Sequence, residues 1–329
     1  MSVTVAMYEK SYEHVGEQLD ALALDINVIT FDRDGVFTVD GSAVAPGDVD
    51  VDYFWLSSHV NADGFRKKAF ETVLACKSVG VLQTFNAGLD DPIYKRISDR
   101  GTRICNSSAQ AVAIAEYVMA HVLSLIHPID LQREQQAKKE WKVTLFRELS
   151  RMNCLIVGFG PIGHEVAKRL KAFGATTAVV RRSPQTSELV DQAGTMADLL
   201  KFLPQADVIV LACALNDETR GFADDAFFSA IKDGALLVNI ARGALIDDAA
   251  MIKALDQGRL AHAVLDVFHT EPLPTSDPMW SHPNVRLTPH TSFGGDGGRA
   301  RWDQLLLDNL SRFVGGESLI AEVNPKDIV

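Results

Sequence analysis

The run CLIVGFGPIGHEVAKRLKAFG, residues 154–174, constrains the fold of this 329-residue chain more than any other feature. It joins a short apolar strand to a helix with one apolar face through three glycines spaced as GxGxxG. The first glycine permits a tight turn, the second lets a ligand approach the backbone, and the third lets the helix pack on the strand. The helix N-terminus also favours a phosphate. This context predicts a dinucleotide-binding turn, with the cofactor held by Gly158, Gly160, Pro161, Ile162 and Gly163.

Continuous apolar runs recur on both sides of this turn. They include VTVAMY, INVIT, YFWL and VGVLQTF before it, and TTAVV, DVIVLA, ALLVNI, AHAVLDV and VRLTP after it. Runs without polar alternation are typical of parallel strands covered on both faces, and a chain of this length is expected to form two domains. The predicted fold class is therefore α/β, with two Rossmann-like, doubly wound parallel-sheet domains and an active-site cleft between them.

Charge and cysteine usage exclude several function classes. The net charge of −11 argues against binding nucleic acid or anionic membranes. Cys76, Cys105, Cys154 and Cys213 form no CxxC pair, so neither a metal site nor a disulfide framework is predicted. The first residues, MSVTVAMYEK, do not resemble a signal peptide, and no apolar stretch has the roughly 20 residues that span a bilayer. We expect a cytoplasmic protein with a small-molecule substrate.

The end of the strand TTAVV bears on the choice between NAD and NADP. An acidic residue at this place hydrogen-bonds the ribose 2′-OH of NAD, but here the strand runs into Arg181, Arg182 and Ser183. Guanidinium groups form charge-assisted, often bidentate bonds with phosphate. The sequence predicts that NADP(H) is preferred and NAD(H) possible. The alternative is a solvated pair of surface arginines.

Three later strands each lead into a polar residue capable of chemistry: ALLVNIA into Arg242, AVLDVFHT into Glu271, and VRLTP into His290. The carboxyl ends of parallel strands line the ligand crevice of an open sheet, so we expect these side chains to lie near the glycine turn. Taken singly, each has a structural alternative: a turn cap, a surface turn residue and a core histidine.

This set of residues suits hydride transfer to a carbonyl group. The carbonyl oxygen gains charge as hydride arrives, and histidine is a common proton donor near neutral pH, a role that His290 fits. A carboxylate such as Glu271 stabilises the imidazolium. An arginine such as Arg242 can hold a substrate carboxylate and polarise the carbonyl.

The segments NIARGALIDDAAMIKAL, AVLDVFHTEPLP and NVRLTPHTS resemble three signature blocks of the D-2-hydroxyacid dehydrogenase family. The resemblance extends from AVAIAEYVMAHVLSLI to NLSRFVGGE, and LQTFNAGLDD shows a weaker similarity to the family. It implies a flavodoxin-like substrate domain of residues 1–102 and 292–329, a dinucleotide-binding Rossmann domain of residues 103–291, and a homodimer formed through the latter.

The resemblance also implies roles for individual residues. Arg242 would orient the substrate, His290 would donate and accept the proton, and Glu271 would be its partner. Asp266 would contact the nicotinamide carboxamide, and the backbone amides of Ala87 and Gly88 would hold the substrate carboxylate.

Two departures from the family pattern affect these assignments. FNAGLDDP is less glycine-rich than the family's loop, which weakens the assignment of Ala87 and Gly88. Cys213 stands where the family often has a proline near the nicotinamide ribose, and it is predicted to contact the cofactor there.

Other functions remain open. A formate-binding relative would have Gln in place of Glu271, but a phosphite-oxidising relative shares the Arg, Glu and His. An NAD(P)H-sensing interaction protein of the corepressor type is a further alternative, against which stands the lack of a long disordered extension.

The substrate is the least constrained part of the prediction. Trp55, Ser57, His59 and Phe85 are predicted to lie near strand ends that face the cleft, and aromatic bulk can narrow a pocket. The sequence favours glyoxylate or hydroxypyruvate as the substrate, and the resemblance implies that the product is the D-2-hydroxy acid. The alternative for these four residues is ordinary packing.

Overall fold

The structure, a computed structural model, describes residues 2–183 and 187–328. The chain divides into two compact units: unit 1 is Met1–Ala109 with Asp296–Val329, and unit 2 is Gln110–Gly295. Each unit has its own seven-stranded sheet. The prediction of two doubly wound α/β domains is thereby confirmed.

The strands, in chain order, are β1 Val3–Tyr8, β2 Ile26–Phe31, β3 Phe37–Val39, β4 Ser42–Val44, β5 Asp50–Leu56, β6 Ser78–Thr84, β7 Arg103–Cys105, β8 Asn153–Val157, β9 Thr176–Val180, β10 Gln192–Gly194, β11 Val208–Leu211, β12 Ala235–Asn239, β13 Leu260–Leu265 and β14 Val285–Leu287. The α-helices are α1 Glu9–Ala21, α2 His59–Ala62, α3 Arg66–Ala75, α4 Pro92–Ser98, α5 Ala111–Ile126, α6 Ile129–Ala137, α7 Pro161–Ala172, α8 Leu199–Phe202, α9 Asp225–Ala230, α10 Asp248–Asp256 and α11 Gly298–Val314.

The sheet of unit 1 has the order β4-β3-β2-β1-β5-β6-β7. Its five parallel strands follow the flavodoxin-like order, in which the chain reverses direction across the sheet between β1 and β5. Strand β7 pairs with β6, so unit 1 extends past residue 102, the boundary expected from the resemblance. The carboxyl ends of β1 and β5 form the topological switch point of unit 1.

An antiparallel hairpin, β3 and β4, extends the sheet beyond β2 and was not predicted from the sequence. It turns at Asp40 and Gly41, which both have positive φ. An Asp-Gly pair between short apolar runs is a strong hairpin signal.

Apolar side chains fill both faces of this sheet. Val15 of α1 and Leu306 and Leu310 of α11 pack on one face, together with Trp55. Phe70 of α3 and Tyr94 of α4 pack on the other.

The sheet of unit 2 has the order β10-β9-β8-β11-β12-β13-β14, and all its strands pair in parallel. This is the Rossmann order with one added strand, and its switch point lies between β8 and β11. Val118 of α5 and Val166 of α7 pack on one face, and Phe227 of α9 and Met251 of α10 on the other.

No single helix in the described ranges is long and apolar enough to cross a bilayer. Helices α5 and α6 reach the length and apolar composition of a membrane span only when the two are counted together, and the chain bends by 56° between them.

Candidate active site

The glycine turn joins β8 to α7 at the switch point of unit 2. Gly158 has a φ of +104°, and a Cβ on it would lie 2.5 Å from the backbone nitrogen of Cys213. A Cβ on Gly163 would lie 2.2 Å from the carbonyl oxygen of Gly158. In contrast, a Cβ on Gly160 meets no neighbouring atom of the described chain within 4 Å. The first and third glycines are thus required for packing, whereas the second leaves open space beside the backbone.

Arg181 follows β9 and lies next to this turn. Its backbone N–H donates to the carbonyl oxygen of Gly194 at 3.0 Å, and its guanidinium lies over the ring of Phe159, 5.7 Å from the centroid. Phe159 is the residue between the first two glycines, so this cation–π contact directs Arg181 toward the turn. Arg182 and Ser183 are exposed. The role of Phe159 was not identified from the sequence.

These features fit a dinucleotide. The start of α7 offers backbone N–H groups that have no partner within the helix, beside the open space at Gly160. Arg181 supplies a positive charge at the end of the neighbouring strand, β9.

Arg242 lies in the turn that follows β12. The buried side chain of Asn239 shapes this turn: its Nδ2 donates to the carbonyl oxygen of Arg242 at 2.8 Å, and its Oδ1 accepts from the N–H of Ala241 at 3.1 Å. A Cβ on Gly243 would lie 2.1 Å from the carbonyl carbon of Phe268. The absence of a side chain at Gly243 therefore lets the turn after β12 pack against the segment after β13.

Glu271 and His290, predicted from separate segments, form a hydrogen-bonded pair. Nδ1 of His290 lies 2.8 Å from Oε2 of Glu271, and Oε1 of Glu271 accepts from the N–H of Phe268 at 2.9 Å. Their side chains are 42% and 37% exposed, respectively, so the pair is accessible from solvent. Since the bond uses Nδ1, the other ring nitrogen of His290 faces away from Glu271.

His290 has a φ of +48°, an uncommon conformation for a residue with a side chain. The residues around it are bonded to the fully buried carboxylate of Asp266. One oxygen accepts from Thr288 Oγ1 at 2.6 Å and from the N–H of Thr291 at 2.8 Å, and the other accepts from the N–H of Ser292 at 3.0 Å. The structure therefore places Asp266 where it fixes the turn that carries His290. Its predicted contact with the nicotinamide carboxamide stays a prediction.

Tyr117 of α5 extends this network. Its hydroxyl lies 2.6 Å from Thr288 Oγ1, and burial raises the pKa of Tyr117 to about 12, so the hydroxyl keeps its proton. Tyr117 was not identified from the sequence, because its helix has the composition of a buried helix and the contact joins residues far apart in the chain.

Cys213 follows β11 and is partly buried, with a pKa raised to about 12 by burial. Its backbone packs on Gly158, and its contact with the cofactor stays a prediction. Ala87 and Gly88 follow β6 in unit 1, where the Ala87 carbonyl oxygen accepts from Asn106 Nδ2 at 2.7 Å. Their assignment to the substrate carboxylate also stays a prediction.

The four residues considered for substrate selection all lie in unit 1 and are buried. Trp55, 2% exposed, and Phe85 pack in the two apolar cores of the unit, so ordinary packing describes both. Ser57 and His59 belong to a polar cluster described below.

A model of the family described as D-isomer specific 2-hydroxyacid dehydrogenase, NAD binding domain, matches residues 119–292, more than half of the chain. Glyoxylate/hydroxypyruvate reductase A of Serratia proteamaculans is 33% identical over 183 residues, which are 56% of this chain and 58% of the relative. An uncharacterized protein in the proB 3′ region of Corynebacterium melassecola is 30% identical, over 75% of this chain and 83% of the relative. Among solved structures, a D-isomer specific 2-hydroxyacid dehydrogenase family protein from Aeromonas salmonicida is 27% identical, with a TM-score of 0.76 over 99% of this chain and 100% of that chain.

Proposed function

The chain belongs to the D-isomer specific 2-hydroxyacid dehydrogenase family of NAD(P)-binding oxidoreductases, as the resemblance predicted, and we propose that it reduces a small 2-oxo acid to the D-2-hydroxy acid. The cofactor supplies the hydride. The observation that carries the proposal is the 2.8 Å pair of His290 and Glu271, at the sheet edge that bears the glycine turn.

His290 is the proton donor in this proposal. Nδ1 is bonded to Glu271, which leaves Nε2 to deliver a proton to the substrate's carbonyl oxygen as that oxygen gains charge. The carboxylate of Glu271 stabilises the positive ring before the transfer, and the N–H of Phe268 holds that carboxylate in place. In the reverse direction the same nitrogen accepts the hydroxyl proton.

Arg242 orients the substrate in this proposal. Its guanidinium can bind a carboxylate through two parallel hydrogen bonds and leave the carbonyl group directed at His290. The Asn239 hydrogen bonds fix the backbone from which the side chain projects. Asp266 is a positioning residue, because its carboxylate fixes the backbone on both sides of His290. The backbone amides at Ala87 and Gly88 are proposed to bind the substrate carboxylate.

We further propose that NADP(H) is preferred over NAD(H). The support is Arg181, held beside the glycine turn by Phe159, since a 2′-phosphate is a strong partner for a guanidinium. Arg182 and Ser183 extend the polar surface at the end of β9.

Glyoxylate and hydroxypyruvate are the proposed substrates, as the name of the Serratia relative suggests. The test is NADPH oxidation with glyoxylate, hydroxypyruvate, pyruvate and bulkier 2-oxo acids, and NADP⁺ reduction with phosphite as a separate assay. We expect turnover with the two small acids. NADPH binding without turnover of any acid would instead support a sensor, and turnover of phosphite alone would support a phosphite dehydrogenase.

A homodimer formed through unit 2 completes the proposal. The segment between α6 and β8 exposes large apolar side chains: Trp141 is 102% exposed, Leu145 89% and Val143 82%. Contiguous exposed apolar groups mark interaction surfaces, and a second copy is the occupant we propose. Light scattering should give twice the chain mass for the native protein and the single mass for Trp141→Glu with Leu145→Glu. Phe173→Glu, at an exposed apolar side chain that follows α7 directly, is the matched control. We assign the protein to the cytoplasm, where its free thiols stay reduced.

A further inference from the structure

A polar cluster lies at the switch point of unit 1, and none of its residues has a part in the proposed reaction. Ser57 follows β5, and His59 begins α2. Ser11 lies in α1, which follows β1 directly, and Arg299 lies in the first turn of α11. In open α/β sheets, ligands bind beyond the carboxyl ends of the strands at such a switch point. The four side chains thus occupy the ligand-binding position of this fold.

A chain of hydrogen bonds fixes the protonation of His59. Arg299 Nη1 donates to His59 Nε2, so this nitrogen carries no proton, because a guanidinium can only donate. His59 Nδ1 lies 3.3 Å from Ser57 Oγ, which lies 2.6 Å from Ser11 Oγ. Ser11, Ser57 and His59 are all at least 94% buried, since their exposed fractions are 0%, 3% and 6%. The ring that holds Arg299 is therefore a neutral, fixed acceptor.

The surrounding charges keep His59 in this form. Burial first, and then the positive charges of Arg299, His14 and Lys10, together lower the pKa of His59 to about 4, against the opposing effect of Asp63. At neutral pH the cluster accordingly does not compensate the charge of Arg299.

An acid on the same helix interacts with Arg299 only through its charge. Asp303, one turn further along α11, accepts a hydrogen bond from His14 Nε2 at 2.9 Å and forms no bond with Arg299 within the described ranges. Arg299 itself is exposed, and in those ranges its hydrogen-bond partner is His59 alone. Its other guanidinium N–H groups make no hydrogen bond to any described residue. Arg103 of the same unit differs, because its guanidinium is paired with the carboxylate of Glu322.

We propose that Arg299, held by His59, forms an oxyanion-binding site at the β1–β5 switch point of unit 1, which takes a carboxylate or a phosphate group. A guanidinium with a fixed orientation and unused donors binds either group through two parallel hydrogen bonds. The anion has two possible sources. One is a second acidic group on the 2-oxo acid, and this alternative rests on the proposed function. The other is a separate small anion.

Binding of inorganic phosphate to the full chain, followed by calorimetry, is the first test. Arg299→Gln should weaken binding about 10- to 100-fold, because a charge-assisted hydrogen bond contributes about 1.5–3 kcal/mol. Arg299→Lys should have an intermediate effect, since it keeps the charge but loses the planar fork. Arg96→Gln, at an exposed arginine on α4, is the matched control. Arg181→Gln, titrated in parallel, reports phosphate bound at the dinucleotide site.

Steady-state kinetics distinguish the two sources of the anion. If the substrate carries it, Arg299→Gln should raise KM for a 2-oxo acid with a distal carboxylate or phosphate at least tenfold and leave KM for glyoxylate unchanged. If the anion is separate, both KM values should stay unchanged while phosphate binding is lost. Equal phosphate binding by the native protein and Arg299→Gln would overturn the proposal. Absence of turnover by the native protein would count against the proposed function alone, because the calorimetric test needs no reaction.

Discussion

The two units contain the same kind of sheet edge but place different residues on it. In unit 2 the first strand of the fold, β8, leads into Gly158 and Gly160, so bare backbone lies beside the start of α7. In unit 1, α1 begins directly after β1, with Tyr8 at its N-cap and the acidic Glu9 in its first turn. A carboxylate there opposes a phosphate, which the start of α7 favours. Residue types at the first βα turn, rather than strand order, thus decide which edge binds a dinucleotide.

The histidines at the two sheet edges differ in burial and in their hydrogen-bond partners. His290 is accessible, and its Nδ1 is bonded to the carboxylate of Glu271, so its other ring nitrogen is directed away from that carboxylate. His59 is buried and is bonded to the guanidinium of Arg299, which favours the neutral ring. One histidine is therefore suited to proton transfer, whereas the other is a fixed acceptor that orients an arginine.

The largest predicted effect is a loss of turnover when His290, the accessible histidine, is replaced. His290→Ala should lower kcat by about 10²–10⁴, because it removes general acid catalysis, while NADPH affinity stays nearly intact. Steady-state kinetics and a fluorescence titration of NADPH measure the two quantities. His282→Ala is the control, since His282 forms another histidine–carboxylate contact in unit 2, with Asp256 at 3.4 Å. Loss of NADPH binding in His290→Ala would make His290 a structural histidine.

The cofactor edge of unit 2 can be tested through Arg181. Replacing Arg181 with Asp should raise KM for NADPH by about 10- to 100-fold, because a carboxylate repels the 2′-phosphate and a charged hydrogen bond is lost. KM for NADH should change far less. Kinetics with both cofactors measure this difference, and an equal change in the two constants would contradict the assignment.

The glycine turn allows a sharper test of which glycine serves binding. Gly160→Ala should leave the melting temperature nearly unchanged, because its Cβ meets no neighbouring atom of the described chain, and should weaken NADPH binding about tenfold. Gly158→Ala should lower both the melting temperature and the affinity for NADPH. The φ of +104° is unfavourable for a residue with a side chain, and the added Cβ would lie 2.5 Å from the backbone nitrogen of Cys213. Calorimetry and titration measure the two effects. A stability loss in Gly160→Ala as large as in Gly158→Ala would contradict this division of roles.

The smallest predicted effect concerns the stability of unit 1. The pKa of His59 is lowered to about 4 from the ordinary value of 6.5, so the unfolded chain binds more protons between these pH values. The stability that neutral His59 contributes is present above pH 6.5 and lost progressively toward pH 4. His59→Gln should flatten this part of the pH dependence of unfolding, measured by circular dichroism in urea. An unchanged slope would contradict the neutral, buried state of His59.

Much of the fold could be read from the sequence because its signals are local. The continuous apolar runs correspond to β1, β2, β5, β6, β8, β9 and β11 to β14, and the spacing of the glycines located the turn after β8. Glu271 and His290 could be paired because adjacent parallel strands end at the same edge. The hairpin of β3 and β4 had a local signal at Asp40 and Gly41 that was overlooked.

The remaining parts of the site depend on contacts that local patterns do not contain. Asp266 reaches the turn around His290 only after β13 and β14 are paired, and Tyr117 reaches Thr288 from a helix whose apolar composition indicates only burial. The contact of His59 with Arg299 joins the two separate segments that form unit 1. Such contacts depend on the assembled fold.

Hydride transfer itself provides the most direct test of the proposed function. The protein is incubated with hydroxypyruvate and NADPH that carries deuterium at the transferring position of nicotinamide C4, and the product is analysed by mass spectrometry and chiral chromatography. We expect D-glycerate with one deuterium at C2, formed by the native protein and not by His290→Ala on the same time scale. Glycerate without deuterium, the L isomer, or no product with any small 2-oxo acid would contradict it.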